Sequence, residues 1–425
     1  MSSDLPEAFA DAPGNAEAAD DKGWLTAGVA GIGTASLLAD VGHEVPTALL
    51  PALLTSTFRA PAAALGVIEG VADALAGAAR FAGGALADDP PCRREVAVGG
   101  YTATAVLSAG IAAAQTVWQV GVLRCGAWLA RGLRVPARNA LLADVVPAKA
   151  YGRAYGFERA MDNLGAIFGP LLALGLVALV GVRWAIALSV IPGLLAAAAI
   201  VYAIKRTTRR TARLRIPIRI KVRPVLKGQL GRLLAAVAAF EVGNVAATLL
   251  ILRATELLTP LHGTTAATTI AILLYTGYNI AAAITSIPAG RVSDRLGSTG
   301  PIIVLAAGVA CFAAAYTGFA LTGASIAILA IPFVLAGIGI GAVETAEHAT
   351  VATLAPAEIR GSAFGMLAAA QSLGNLAASA VAGLLWTAIS PAAAFGYLTT
   401  WMLLALAGLT VANRRPTAPA PVPAN

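Results

Sequence analysis

Apolar windows of about twenty residues recur along this chain from residue 27 to residue 412, and they restrict what it can become. A helix of that length rises about 30 Å, the depth of a bilayer's hydrocarbon layer. Twelve windows are readable, at 27–52, 63–86, 96–117, 119–142, 154–179, 183–204, 231–254, 265–288, 300–320, 324–344, 361–387 and 392–412. The fourth is the weakest, because Arg124, Arg131 and Arg138 lie inside it and such charges must face protein or water. Alanine alone does not make the pattern, since the windows persist when it is discounted. Only 12% of the residues are charged and 58% are hydrophobic, whereas soluble domains average about 25% charged. A soluble fold with so few charges would leave its core uncovered. We therefore expect an all-α membrane protein of twelve transmembrane helices.

Basic residues set the orientation. One series of connections holds Arg93 and Arg94, Lys149 and Arg153, Arg291 and Arg295, Arg360, and Arg414 and Arg415. The alternate series holds only Arg59, Arg183, and Arg253 with His262. The segment from Lys205 to Arg232 carries eleven Lys or Arg and no acid. The positive-inside rule puts that segment and both termini in the cytoplasm, which an even number of spans also requires. A cytoplasmic (inner) membrane location follows as the expectation. The stretch "RLRIPIRIKVRP" reads as a linker lying on anionic lipid headgroups rather than as a nucleic-acid site, because topology already demands its charge. The first 22 residues hold six acids and one lysine, the wrong sign for a signal peptide, and read as a cytosolic tail. Cys92, Cys125 and Cys311 form no pairable framework and no Cys/His cluster, so structural metal is not expected.

The linker divides the chain into halves that match. Gly84 and Asp88 in "GGALADD" correspond to Gly290 and Asp294 in "AGRVSDR", 206 residues on. Pro147, Gly152, Gly156 and Gly165 correspond to Pro356, Gly361, Gly365 and Gly374, 209 residues on. "DVGH" at Asp40 matches "EVGN" at Glu241, 201 residues on. Parallel repeats of this kind build one class of secondary transporter. With the six-plus-six split, the central linker and the G-x-x-x-D-R-x-G loop after the second span of each half, the chain resembles the major facilitator superfamily over about residues 24–413. Gly290, Asp294, Arg295 and Gly297 match that loop fully. In the first copy Asp89 stands at the arginine position, Pro91 and Cys92 replace the glycine and a basic residue, and Arg93 and Arg94 keep the basic end. The resemblance implies two parallel six-helix repeats at 24–204 and 231–413, with a tail at 1–23, a linker at 205–230 and a tail at 414–425. It also implies that the loop is a cytosolic gate, which shut would favour an outward-facing state. Glycines let helices approach closely, and an aspartate near a helix end accepts from free backbone N–H groups. The damaged first copy predicts asymmetric latching.

Ionisable residues inside the spans are the next signal. Asp40, His43 and Glu44 share one face of the first span by their i, i+3, i+4 spacing. Glu69 and Asp73 lie four apart in the second, Glu241 and Asn244 three apart in the seventh, and Glu344, Glu347 and His348 cluster in the tenth. In the resembled family the first, fourth, seventh and tenth spans line the central cavity, and an arginine motif of the fourth is most nearly matched at Arg124. A desolvated carboxylate holds its proton tightly and one beside arginine releases it, so these acids are candidate proton carriers. Depth favours Asp40, Glu44 and Glu241 for proton coupling or for binding a cationic group. Glu344, Glu347 and His348 approach a cytosolic helix end, where Arg131, Arg138 or Arg360 are expected partners. Glu158, Arg159 and Asp162 are expected in the cytosolic gate. Tyr275, Tyr278 and Asn279 are expected along the substrate path. Gln115, Trp118 and Gln119 mark an interface. The fifth span's "GAIFGP" resembles the glycine- and proline-containing motif of exporters in that family.

The expected function is proton-coupled secondary transport of a small molecule by alternating access, in the direction of efflux, for a cationic, zwitterionic or amphipathic compound. The alternative is proton-coupled uptake of a nutrient or of a metal or metal chelate, for which Asp40, His43, Glu44 and His348 offer ligand types. A non-transporting sensor is the third reading. No G-x-x-x-x-G-K-[ST] stretch or nucleophile–base pair suggests an ATP-driven pump or an enzyme. No cofactor is implied, and a monomer is expected because the architecture encloses its own pathway.

Overall fold

The computed structural model describes residues 23–206 and 221–413. The tail 414–425, nearly all of the tail 1–23 and residues 207–220 of the basic segment lie outside the described residues. Among the described residues the chain is helical, with no strand. The first half forms α1 (Ala27–Ala52, prolonged by a π turn at Leu53–Thr57), α2 (Ala62–Ala87), α3 (Pro90–Gly110), α4 (Val117–Val145), α5 (Tyr151–Leu188) and α6 (Val190–Arg206). The second half forms α7 in two pieces, α7a (Gly228–Gly243) and α7b (Ala247–His262). It continues with α8 (Thr264–Arg295), α9 (Gly300–Leu321), α10 (Ile326–Leu354), α11 (Arg360–Ala388) and α12 (Pro391–Asn413).

Each of the twelve windows falls on helix. Nine helical stretches among the described residues are long and apolar enough to cross a membrane by length and composition. The stretch 148–206 takes up the fifth and sixth windows together. The second and fourth windows form helices of full length that are not among those nine, and the fourth holds the arginines already noted.

Local chemistry accounts for the boundaries. Thr26 caps α1 by accepting from the Val29 N–H at 3.3 Å. Thr116 and Gln119 make a reciprocal capping box at the start of α4, at 3.3 and 3.2 Å. Gln119 therefore has a structural use, while Trp118 beside it stands 78% exposed. Gly181 turns the chain within α5 at φ +79°, a conformation an L side chain rarely takes.

The seventh window was expected as one helix and is two. Gly243 weakens the helix and Asn244 leaves it, at φ −89° and ψ 94°. Backbone groups freed inside a bundle need partners. The Asn244 carbonyl accepts from Asn375 Nδ2 at 2.8 Å, the Val245 N–H donates to the Tyr316 hydroxyl at 3.3 Å, and the Ala246 N–H donates to Ser379 Oγ at 3.0 Å. Helices α9 and α11 thus stabilise the break.

The two halves meet through α5 against α8 and α2 against α11, with α10 on α5 and α11 on α4 completing the seam. The matched glycines make this possible. A Cβ on Gly365 would sit 2.7 Å from both the Arg80 carbonyl oxygen and Gly84 Cα, closer than real side chains come. Gly365→Val should therefore separate α2 from α11 and cost about 1–3 kcal/mol. Thermal unfolding of the purified protein should show this loss, whereas Gly383→Ala, with open space at its Cβ, should lose nothing.

Candidate functional site

A cavity of about 570 Å³ lies between the halves, lined from α1, α2, α4 and α5 on one side and α7, α10 and α11 on the other. On the first-half wall, Asp40 is buried and meets Arg131 at 3.6 Å and His43 at 3.2 Å. The other His43 ring nitrogen faces Glu44 at 3.3 Å. Below them Glu158 is fully buried between two guanidinium groups, Arg138 at 2.7 Å and Arg159 at 2.7 Å, and Ser36 donates to it at 2.6 Å. Asp162 completes the cluster with Arg159 at 3.2 Å and Arg138 at 3.5 Å. Glu344 of α10 reaches across to Arg159 at 3.8 Å, tying the halves together.

The second-half wall is different. Glu241 is buried at the end of α7a, where Asn244 Nδ2 donates to it at 3.0 Å. Among the described residues no Lys, Arg or His nitrogen lies within 4 Å of its carboxylate. Gln371, Ser372, Asn375 and Ser379 of α11 add amide and hydroxyl groups. A repeat is visible here: Gly165 of α5 packs against Asp40 of α1, and Gly374 of α11 packs against Glu241 of α7a. The matched acids and matched glycines of the sequence are in contact, once in each half.

Several expected site residues sit elsewhere. Arg124 is 1% exposed and outside the cavity lining, held by Glu69 at 2.9 Å and Thr47 at 3.1 Å over the Trp128 ring. Glu69 and Arg124 are therefore a packing pair of α2 and α4. Asp73 reaches the cavity and accepts from the Trp128 indole N–H at 2.8 Å. Tyr278 stacks on Tyr275 and packs against the second-half core rather than lining the cavity. Glu347 pairs with none of the expected arginines. It is fully buried and accepts from Gln371 at 2.6 Å, while its second oxygen has no partner. His348 does line the cavity and packs against the Tyr155 and Phe364 rings, which also touch each other. It does not join His43, and no group of three or more His, Cys, Asp or Glu among the described residues is arranged to hold a metal ion.

The gate residues lie at the end of the bundle that carries the basic loops. Asp294 at the end of α8 accepts from the Gly152 and Arg153 N–H groups at the start of α5, at 2.7 and 3.0 Å, and from Arg153 Nε at 2.9 Å. Asp88 at the end of α2 does the same to α11, accepting from the Ser362 N–H at 2.9 Å and its hydroxyl at 2.6 Å. Both copies close, so the expected asymmetry is confined to the third partner: Lys221 at 3.4 Å stands by Asp88 where Arg153 stands by Asp294. Arg295 matches the motif yet projects to the exposed surface. Arg360 meets Asp144 at 3.7 Å, and Asp144 also pairs with Arg93. Gly84 packs on Gly361 and Gly365, and Gly290 packs on Gly152.

Sequence reasoning missed Arg80 and Arg134, which both line the cavity. Arg80 Nη1 donates to the Ala368 carbonyl at 2.7 Å and to the Ser372 hydroxyl. Arg134 lies over the Tyr101 ring at 4.1 Å. Helical spacing carried the signal: Arg80 is four residues before Gly84, and Arg134 lies between Arg131 and Arg138 at i+3 and i−4.

A hydrogen bond to a charged group contributes about 1.5–3 kcal/mol, and the two aspartate latches act in parallel. Asp88→Asn with Asp294→Asn should open the basic end, whereas either change alone should leave it mostly shut. Distances between spin labels on α2 and α11 report this. Removing one member of the buried cluster, as in Arg138→Gln, leaves Arg159 alone to balance Glu158 and Asp162, and should cost about 3–5 kcal/mol in unfolding experiments.

The family model described as Major Facilitator Superfamily matches residues 32–261 and 233–425. An uncharacterised MFS-type transporter of Methanocaldococcus jannaschii is 27% identical over 370 residues, covering 86% of this chain and 90% of that protein. A multidrug resistance efflux pump PmrA homologue of Lactococcus lactis is 29% identical over 87 residues, 20% of this chain and 73% of that one. The human organic anion transporter MFSD10 (TETRAN) shares the fold with a TM-score of 0.69 at 17% identity, over 90% of this chain and 99% of that chain. With its all-helical bundle and central polar cavity, this chain belongs to the major facilitator superfamily, whose members are multi-pass carriers of small molecules and not enzymes.

Proposed function

We propose that this transporter is a proton-coupled exporter that works by alternating access and moves a cationic, zwitterionic or amphipathic small molecule across the cytoplasmic membrane as a monomer. In this reading 24–204 and 231–413 are six-helix bundles in a twelve-helix protein, joined by the basic linker 205–230. One observation carries it. Among the described residues, the hydrogen bonds, ion pairs and ring contacts between the halves lie between the charged cavity and the basic end. On the far side no such contact joins them, and Leu373 and Leu376 of the cavity wall are exposed. The basic end is the cytosolic end by the positive-inside rule. The arrangement is then an outward-facing state, and both termini are cytosolic.

Proton coupling rests on the carboxylates. A buried carboxylate without a cation is costly, and binding a proton or a cationic substrate removes that cost. Glu241 stands in that position. Asp40 and Asp162 both line the cavity on the first-half wall and offer a second place for a proton. Efflux is supported by the exporter-like "GAIFGP" of α5, whose Gly165 and Gly169 pack against Asp40 and Glu44, and by the short stretch shared with the efflux pump homologue. Metal uptake is weaker, because both His43 nitrogens face carboxylates and His348 packs against the Tyr155 and Phe364 rings and is not grouped with His43.

Purified protein in liposomes with an imposed pH gradient tests the proposal, using a panel of cations, zwitterions, drugs and metal chelates. Substrate-evoked proton flux is expected in the wild type and lost in Glu241→Gln or Asp40→Asn. Transport in the wild type without proton movement would refute the coupling, and normal flux in both variants would assign it to other residues.

A further inference from the structure

Cancelling the charges of the cavity wall pair by pair leaves a remainder. Arg131 is matched by Asp40, and Arg138 and Arg159 by Glu158 and Asp162. Arg80 on the first-half wall has no carboxylate within 4 Å among the described residues; its bonds go to the Ala368 carbonyl and the Ser372 hydroxyl. Its buried Nε has no hydrogen-bond partner. Arg134 is likewise without a carboxylate, but the Tyr101 ring covers it. On the second-half wall the remainder is Glu241, with one oxygen bonded to Asn244 and the other without a hydrogen bond among the described residues. Asp73 on the first-half wall accepts only from Trp128, and Glu344 on the second shares Arg159, so the first-half wall keeps a net positive charge, Arg80 and Arg134 against Asp73, and the second-half wall a net negative one.

We propose that the substrate is a zwitterion that bridges the halves, its acid group on Arg80 of α2 and its ammonium group on Glu241 of α7a. This rests on the reading of the cavity as the substrate site. Two features besides the charges favour it. The helix break puts the C-terminal end of α7a, the negative end of its dipole, beside Glu241, so a cation is drawn there by backbone as well as side chain. A volume of about 570 Å³ accepts a molecule long enough to touch both walls. A ligand with one charge would leave the opposite group buried and unpaired, the costliest arrangement inside a protein. A zwitterion removes both costs together. It also joins the halves through its own two ends and competes with the proton for Glu241.

Equilibrium binding in detergent, without a gradient, tests this apart from coupling or direction. Three scaffolds serve as probes: 4-(aminomethyl)benzoic acid, phenylalanyl-alanine and alanyl-phenylalanyl-alanine. Each is used as the free zwitterion, as the N-acetylated acid and as the C-terminal amide. At least one zwitterion should bind about tenfold or more tightly than both of its capped forms, a gap of one charge-assisted contact at each end. Arg80→Gln should erase the penalty for amidation alone, and Glu241→Gln the penalty for acetylation alone. Arg80→Lys and Glu241→Asp keep the charges and should keep the preference, which separates lost recognition from lost folding. Equal or tighter binding of a capped form, or no binding by any scaffold, overturns the proposal. A zwitterion preference without proton flux in liposomes would sink the coupling and leave this inference standing.

Discussion

Two carboxylates hold the arrangement of this molecule: Asp88 at the end of α2 and Asp294 at the end of α8, each bound to the first free N–H groups of a helix in the other half. A helix start always leaves such donors unsatisfied, and a carboxylate completes them while meeting the positive end of the dipole. The contact forms only if the backbones approach within reach, which is why glycines stand at 84, 152, 290, 361 and 365. Hydration would cut its strength sharply, so the latch is strong when the seam is dry and weak once the halves begin to part. That difference suits a joint meant to open. It also explains how the first copy tolerates an aspartate at the usual arginine position. The aspartate does the capping, and the cation comes from elsewhere, Lys221 in one half and Arg153 in the other.

Just behind the latches, Arg138, Glu158, Arg159 and Asp162 form a cluster whose desolvation nearly cancels its attraction. Such a cluster adds little net stability. It does fix the relation of α4 to α5 and, through Glu344, of α5 to α10. The first half is thereby stiffened by charge. The second half, with no arginine among the described residues that line the cavity, is held by packing and by the satisfied break in α7.

Length, hydropathy and repetition made the helices, the two halves and the aspartate loop legible before any coordinates. Apolar length is a local property and survives any packing. Partner choice is not local. Arg124 was placed in the cavity because it lies in the right helix, but a helix has several faces, and its face turns to Glu69 and Trp128. An arginine near a helix end, as Arg80 is, ordinarily reaches for headgroups; here α11 lies where the headgroups would be. The break in α7 was hidden for the same reason. Gly243 and Asn244 lower helix propensity, but only Tyr316, Asn375 and Ser379 make leaving the helix affordable.

The repeat explains why the cavity became unequal. Asp40 against Gly165 and Glu241 against Gly374 are one contact present twice. A glycine admits the acid's own backbone so closely that the carboxylate must turn away from its neighbour helix and toward the cavity. In the first half α4 answers with Arg131, and His43 stands on the other side. In the second half no Lys, Arg or His nitrogen among the described residues lies within 4 Å of the acid, and Asn244 answers. Two acids that began equivalent thus hold different positions: one is neutralised by its own half, and the other can be neutralised only by something that enters. A carrier needs that inequality, because a site already balanced on both walls gives an incoming charge no reason to bind.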